Sequence, residues 1–143
     1  MDQVPISNIV ANISKCFNSI KPEIVYLPNP SDIHTDHQIA FKAAFSCTKS
    51  FRFPSINKVM IYETLSETEY CSGIEGEIFK PNTYINISDF IEKKLSIMDI
   101  YADQLGAHPF PRSKKNITAI ATTRGATSNC EYAEAFNLIK YID

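Results

Sequence analysis

Two histidines and a carboxylate stand within four residues of this chain, at His34, Asp36 and His37. They follow a short apolar run at residues 24–27 and precede an apolar segment typical of a helix at residues 39–45. In open α/β sheets, ligands bind beyond the carboxyl ends of the strands. Neutral imidazole is the commonest protein ligand for metals such as zinc, and a neighbouring carboxylate can orient its ring. The pattern therefore predicts a metal or catalytic site in this loop, which holds two of the chain's three histidines.

The same residues also have a purely structural interpretation. Asp36 is suited to cap the following helix, its carboxylate accepting a hydrogen bond from the N–H of Gln38 or Ile39. His34 could equally be a loop residue bonded to a carbonyl group. Two histidines are also too few for catalytic zinc, which uses three protein ligands and a water. Both interpretations stay open on these residues alone.

Helices and strands alternate around this loop. The predicted strands cover residues 23–27, 58–63 and 84–87, and the predicted helices cover residues 6–20, about 36–49, 89–105 and 113–124. Glu92 is placed as in a capping box for the third helix. Residues 72–76 are rich in turn formers, and residues 131–142 fit either a strand or a helix. The order of the elements predicts an α/β fold with a parallel sheet.

Composition narrows the functional classes. A chain of 143 residues predicts one domain, and 14 basic against 16 acidic residues give a charge of −2. Without a basic block, neither nucleic acid nor an anionic membrane surface is indicated. The apolar runs fall short of the roughly 18–20 residues that span a bilayer, and no signal peptide is visible. Four widely spaced cysteines predict reduced, mostly buried thiols in a cytoplasmic protein: Cys16, Cys47, Cys71 and Cys130.

Residues 21–44 resemble the second metal motif of the PIG-L or LmbE-like zinc N-deacetylases, which is a strand, a proline-containing loop and His-Pro-Asp-His. Thr35 stands at the place of the motif's proline. Further segments resemble the family in the expected order, namely residues 65–70, 79–87, 108–113, 124–125 and 131–136. The family's first motif, a strand followed by His-Pro-Asp-Asp-Glu, is absent. The chain therefore resembles the C-terminal part of a single deacetylase domain, covering residues 1–143.

The resemblance implies a Rossmann-like three-layer fold with a mostly parallel sheet that lacks its N-terminal strands. It also implies a hydrolase that uses Zn²⁺, or another divalent metal, to activate water. The expected substrate is an N-acetylated amino sugar or its conjugate, of the N-acetylglucosamine type, from which the acetyl group is removed.

Residue roles follow from the same resemblance. His37 matches a zinc ligand, and His34 matches the histidine that acts as general acid or oxyanion stabiliser. Asp36 matches the carboxylate that hydrogen-bonds to this histidine and favours its protonated form. The other two ligands and the general base would belong to the first motif. His108 and Arg112 resemble a segment near the substrate mouth, although a loop histidine and a solvated arginine at a helix start fit equally well.

Two functional hypotheses therefore remain. In the first, the chain is part of a zinc-dependent deacetylase. In the second, it is a non-catalytic truncated remnant or a fragment, active only with its missing N-terminal segment or not at all. By itself the chain is predicted to be inactive. Its incomplete sheet should leave an open edge, which predicts homo-oligomerisation or association with another polypeptide.

Overall fold

The computed structural model describes residues 1, 3–71 and 78–143, so the turn predicted at residues 72–76 lies outside the described residues. The helices are α1 (Ile6–Ile20), α2 (Thr35–Ser46), α3 (Ile91–Met98) and α4 (Lys114–Ser128). The strands are β1 (Ile24–Pro28), β2 (Lys58–Tyr62), β3 (Thr83–Asn86) and β4 (Ala133–Tyr141). Most predicted elements thus exist, with ends displaced by a few residues.

The first of two compact units comprises residues 1–81 and 136–143. In it, β1 and β2 pair in parallel, with Val25 opposite Val59 and Leu27 opposite Ile61. Val25, Leu27 and Val59 are buried in one cluster with residues from the segment after α2. Helices α1 and α2 pack on this cluster through Val10, Ile13, Phe17, Phe41 and Ala44. The two helices therefore hold β1, and the loop that follows it, against a common core.

The sheet is mixed, in the order β1-β2-β4-β3. Strand β4 runs antiparallel to β2, with Tyr62 opposite Phe136 and an irregular register between Val59 and Met60. The α/β fold is therefore confirmed, but the prediction of a mostly parallel sheet is met only by the β1–β2 pair. The difference arises at residues 131–142, the segment whose periodicity fitted both helix and strand. Its backbone groups are satisfied by pairing with β2, and this pairing makes it a strand.

The second unit comprises residues 82–135. Ile87, Ile91 and Ala121 are buried together, with Leu95 and Tyr132 packed against them. The long helix predicted at residues 89–105 is divided into a 3₁₀ turn, α3 and a second 3₁₀ segment at Asp99–Gln104. Tyr101 interrupts the last segment with φ −104° and ψ 45°. Phe90 is the N-cap of α3 and makes no side-chain capping bond, so the capping box expected with Glu92 is wrong.

All four cysteines are free thiols, as predicted. Only Cys47 is buried, however, so the expectation of mostly buried thiols is wrong. None of the described helices has both the length and the apolar character that a membrane crossing requires.

The assignment of residues 1–143 to one deacetylase domain stays a prediction. Each of the two compact units has its own buried apolar cluster.

Candidate functional site

The three residues predicted from the sequence come together after β1. His34 is the N-cap of α2 and has an extended backbone, with φ −74° and ψ 119°. Asp36 and His37 then occupy the first turn of that helix. The rings of His34 and His37 stack, with centroids 5.2 Å apart and planes 26° apart. The strand, the loop and the helix therefore bring both imidazoles to the carboxyl end of β1.

His37 is held by a buried carboxylate that lies earlier in the same loop. Its Nδ1 is 2.7 Å from Oδ2 of Asp32, a side chain with no exposed surface, while the His37 side chain is 29% exposed. In the neutral ring, the proton on Nδ1 is donated to Asp32 and the lone pair stays on Nε2. A metal-ligating histidine characteristically donates its other ring N–H to a carboxylate. His37 thus has the support that a metal ligand needs.

Asp32 is itself tied into a network of hydrogen bonds. The Thr68 hydroxyl donates to Asp32 Oδ1 at 2.6 Å and accepts from the Thr64 N–H at 2.8 Å. Gln38 Nε2 donates to the Asp32 carbonyl oxygen at 2.8 Å. A buried carboxylate is costly unless it is hydrogen-bonded in this way. The network therefore fixes the position of the acceptor that orients His37.

Sequence reasoning missed Asp32 and Thr68 as functional residues. Asp32 gave a partial signal, since it is an acidic residue in the loop between a strand and a metal motif. Thr68 lies in the segment 65–70 that resembles the family, but nothing in the sequence linked it to Asp32, which is 36 residues away along the chain.

His34 is fixed by a different hydrogen bond. Its Nδ1 accepts from the backbone N–H of Asp36 at 3.2 Å. Because Nδ1 is an acceptor, the neutral ring of His34 carries its proton on Nε2. In their neutral forms the two stacked histidines therefore take opposite tautomers: His34 offers an N–H at Nε2, and His37 offers a lone pair there. Such a pair can donate to a carbonyl oxygen and coordinate a cation.

Asp36 does not cap the helix, so that alternative is wrong and His34 takes the capping position. The Asp36 carboxylate lies 2.7 Å from the Met1 ammonium, which is the main cause of its lowered pKa. Electrostatic attraction to His34 and His37 lowers the pKa of Asp36 further. Asp36 contacts His34 through its backbone N–H. Its proposed role as the carboxylate that assists His34 stays a prediction.

Tyr62 is the last residue of β2 and lies opposite Pro28, the last residue of β1, so it is at the same carboxyl end of the strands as the two histidines. Partial burial raises the pKa of its phenol, and the negative charge of Asp32 adds to the shift. The phenol therefore stays protonated at neutral pH and can donate a hydrogen bond. The sequence pattern marked Tyr62 only as a strand residue.

His108 and Arg112, the weaker candidates, belong to the second unit. His108 lines a cavity of about 390 Å³ together with Lys114 and Lys115. Arg112 Nε donates to the Gln104 carbonyl oxygen at 2.9 Å, and its guanidinium lies over the Phe110 ring at 5.3 Å. These contacts give Arg112 a structural task, and the substrate-binding roles of both residues stay predictions.

The described residues supply only some of the ligands of a metal site. Within residues 1, 3–71 and 78–143, no three side chains of His, Cys, Asp or Glu are grouped so that they could hold an ion. His37 fits one ligand position because its Nδ1 is anchored. The residues present thus suit a metal site to which further ligands are added, rather than a complete one.

Comparison with known proteins identifies the fold. No protein-family model and no curated protein sequence matches the chain. Among solved structures, it matches the N,N′-diacetylchitobiose deacetylase of Pyrococcus horikoshii with a TM-score of 0.66 and 16% identity, over 96% of this chain and 54% of that one. It matches the zinc-inhibited form of teicoplanin deacetylase Orf2 with a TM-score of 0.64 and 14% identity, over 96% and 53%.

The same fold also carries a different reaction. The 4-carboxy-2-hydroxymuconate hydratase GalB of Pseudomonas putida matches with a TM-score of 0.72 and 17% identity, over 96% of this chain and 60% of that one. The chain thus has the fold of LmbE- and PIG-L-type deacetylases, as the sequence resemblance implied. It spans little more than half the length of the solved chains that it matches.

Proposed function

We propose that this chain supplies one part of a metal-dependent deacetylase site that acts on an N-acetylated amino sugar or its conjugate. The observation that carries the proposal is the Asp32–His37 hydrogen bond, which leaves the Nε2 lone pair of His37 free at the carboxyl end of β1. Zn²⁺ is the proposed ion, with another divalent metal as the alternative. Support for the reaction class comes from the solved deacetylases that share the fold.

The tautomers of His37 and His34 suggest different roles for the two side chains. His37 would hold the ion through Nε2, while the hydrogen bond to Asp32 keeps its ring in place. His34 directs its Nε2–H toward the oxygen of the acetyl carbonyl, where negative charge develops as water attacks. A bound divalent cation would polarise that carbonyl and lower the pKa of water. The protonated phenol of Tyr62 is proposed to donate a further hydrogen bond to the substrate.

His37 alone cannot make a hydrolytic metal site. The proposal therefore requires further metal ligands and a general base besides the residues named above. The second hypothesis, a non-catalytic remnant or a fragment active only with further sequence, therefore stays beside the first. His108 and Arg112 are proposed to touch the substrate beyond the acetyl group. A cytoplasmic setting is also proposed, in keeping with the four free thiols.

The chain alone gives the first experimental test. Purified chain is expected to bind Zn²⁺ weakly and to release no acetate from N-acetylglucosamine or N,N′-diacetylchitobiose. Acetate release that a chelator abolishes and zinc restores would show that the missing ligands have been misjudged.

A chimaera gives the second test. The part of the Pyrococcus deacetylase that this chain does not cover is joined to it, and acetate release is measured with and without chelator. Chelator-sensitive deacetylation that is lost in His37→Ala supports the proposal. A chimaera that binds zinc and hydrates 4-carboxy-2-hydroxymuconate, but releases no acetate, would overturn the proposed deacetylation. It would favour the reaction of the GalB hydratase, which shares the fold.

A further inference from the structure

The turn between α2 and β2 exposes an aromatic ring and a cation. The Lys49 carbonyl accepts from the N–H groups of Arg52 and Phe53 at 3.0 and 2.9 Å, and these bonds close the turn. Phe53 is buried, and its ring meets that of Phe17 on α1 edge to face, with centroids 5.9 Å apart. Phe51 is 79% exposed, and the Arg52 guanidinium lies over its ring at 5.6 Å. Phe53 therefore anchors the turn to α1 and leaves Phe51 and Arg52 in solvent.

The carboxyl end of α1 extends this exposed surface. Ile20 lies one helical turn beyond Phe17 on the same face of α1, and its side chain is 68% exposed. Lys21 caps the helix and donates its N–H to the Phe17 carbonyl at 2.8 Å. The surface, which we call the amino-end patch, consists of two apolar and three cationic side chains, all exposed: Ile20, Lys21, Lys49, Phe51 and Arg52.

The charge around the amino-end patch differs from that of the whole chain. Residues 37–62 hold four of the 14 basic residues and none of the 16 acidic ones. Within residues 1, 3–71 and 78–143, Lys21, Lys49 and Arg52 form no ion pair. The sequence shows no basic block because these cations are far apart along the chain. The fold brings them to one end of the first unit, where their charge is not neutralised by a paired carboxylate.

We propose that the amino-end patch docks the protein on a membrane surface that carries anionic lipids. Each lysine or arginine held near such a surface favours binding by about fivefold. Phe51 and Ile20 add to this because their exposed apolar surface leaves water when it enters the lipid interface. Either contribution alone gives weak binding, so the association is reversible and depends on both.

Two other partners fit the amino-end patch less well. A two-fold dimer would set the cations of one copy against those of the other, because such an interface pairs the same surface of both copies. Nucleic acid would satisfy the cations, but it gives no reason for an exposed aliphatic side chain such as Ile20. A lipid interface accommodates both kinds of side chain.

The amino-end patch and the candidate site lie at opposite ends of the parallel strands. The patch adjoins residues 22–24 and 57–58, where β1 and β2 begin, whereas His34 and His37 follow the carboxyl end of β1. A membrane bound at the patch would therefore leave the imidazoles facing the aqueous phase. The proposed docking depends on the patch alone and does not rest on the proposed metal site.

Tryptophan fluorescence can report docking from a single position, because the chain contains no tryptophan. In Phe51→Trp, vesicles of equal parts phosphatidylserine and phosphatidylcholine are expected to shift the emission to the blue, and a brominated lipid should quench it. Ile100→Trp, at an apolar residue of the second unit that is 77% exposed, is the matched control and should show neither change. An unshifted spectrum for Phe51→Trp, or equal shifts in both variants, would overturn the proposal.

Sedimentation with the same vesicles measures the contribution of the cations. Lys49→Gln combined with Arg52→Gln should lower partitioning about 25-fold, at about fivefold for each cation. Lys93→Gln combined with Lys115→Gln makes the same change of charge in the second unit and should leave partitioning nearly unaltered. Glu23→Gln removes the acidic side chain just before β1 and should raise partitioning by up to about fivefold. Equal losses in the two double variants, or no loss in the first, would overturn the proposal.

The choice of partner is tested with pure phosphatidylcholine vesicles and with poly(U) RNA. Binding is expected to require phosphatidylserine and to weaken as the salt concentration rises. Equal binding to phosphatidylcholine alone would overturn the role of the cations. Poly(U) that displaces the protein from the mixed vesicles, and whose binding is lost with Lys49 and Arg52, would assign the amino-end patch to nucleic acid. Dimerisation that Arg52→Gln abolishes would assign it to a second copy, and either result would overturn membrane docking.

Discussion

Asp32 and His37 form a hydrogen bond 2.7 Å long between a fully buried carboxylate and a partly exposed imidazole. Asp32 is bonded to two residues of the first turns of α2, His37 and Gln38. Thr68, from a later segment of the chain, also donates to its carboxylate. The imidazole is therefore presented at the surface with only one of its nitrogens still available.

The first prediction concerns this pair. Asp32→Asn should weaken zinc binding at His37 by about 10–100-fold, the usual effect of removing a carboxylate that orients a ligand. Competition with a chromogenic chelator measures the affinity, most sharply in the chimaera. Asp103→Asn makes the same change of charge at an exposed residue and should leave the affinity unaltered. Equal affinity of Asp32→Asn and the unaltered protein would mean that Asp32 serves only the fold.

A second prediction uses two threonines with different hydrogen bonding. Thr68→Val removes the donor to Asp32 and the acceptor of the Thr64 N–H, so the free energy of unfolding should fall by about 1–3 kcal/mol. Urea denaturation measures this value. Thr64→Val is the matched control, because the Thr64 hydroxyl is buried without a hydrogen-bond partner among the described residues. That change should be neutral or stabilising, and a similar loss in both variants would contradict the network.

The location of the site was predictable from sequence, but its support was not. The apolar run, the proline-rich loop and the following helix placed His34, Asp36 and His37 at one end of β1. Helix α1 was equally clear, since Pro5 precedes it and Lys21 ends it in the left-handed conformation with φ 51°. These features depend on neighbours in the chain, and local patterns record them well.

The features that the sequence did not predict depend on contacts between distant residues, or on segments whose apolar spacing fits both a helix and a strand. Thr68 reaches Asp32 only after the chain has passed through α2 and β2. Strand β4 was ambiguous until its pairing with β2 decided between two periods that both fitted. Asp36 was one candidate for the cap of α2 because aspartate is a common capping residue, whereas the backbone places the His34 ring at that position.

A third prediction separates the roles of the two histidines in the chimaera. His37→Ala should abolish metal occupancy, because it removes a ligand. His34→Ala should keep the metal and lower turnover by about 10²–10⁴-fold, the range for a group that assists proton transfer or charge development. Elemental analysis and acetate release measure the two quantities. Equal loss of metal in both variants would mean that the histidines have been assigned the wrong way round.

The capping bond of His34 adds a fourth prediction, which the chain can test without activity. His34→Ala should lower the free energy of unfolding by about 0.5–2 kcal/mol, since α2 loses the acceptor for the Asp36 N–H. His34→Asn supplies a good capping side chain and should recover most of that stability. In the chimaera it should not recover turnover, because the shorter amide does not reach the position of the ring Nε2–H and cannot act as a general acid. Full activity of His34→Asn would mean that His34 serves only as the N-cap of α2 and takes no part in the reaction.

The last prediction follows from Tyr62 and concerns alkaline pH. The folded protein holds the phenolic proton more tightly than the unfolded chain, because burial and the Asp32 charge raise the Tyr62 pKa above its ordinary value of 10.0. The corresponding stability is fully present below about pH 10 and is lost as pH rises through the raised pKa. Tyr62→Phe should therefore lose less stability than the unaltered chain over that window, measured by urea denaturation at successive pH values. In NMR titrations, Asp32→Asn should move the Tyr62 pKa back toward its ordinary value but not fully to it, since burial is the larger cause. An unchanged Tyr62 titration in Asp32→Asn would show that the carboxylate does not act on the phenol.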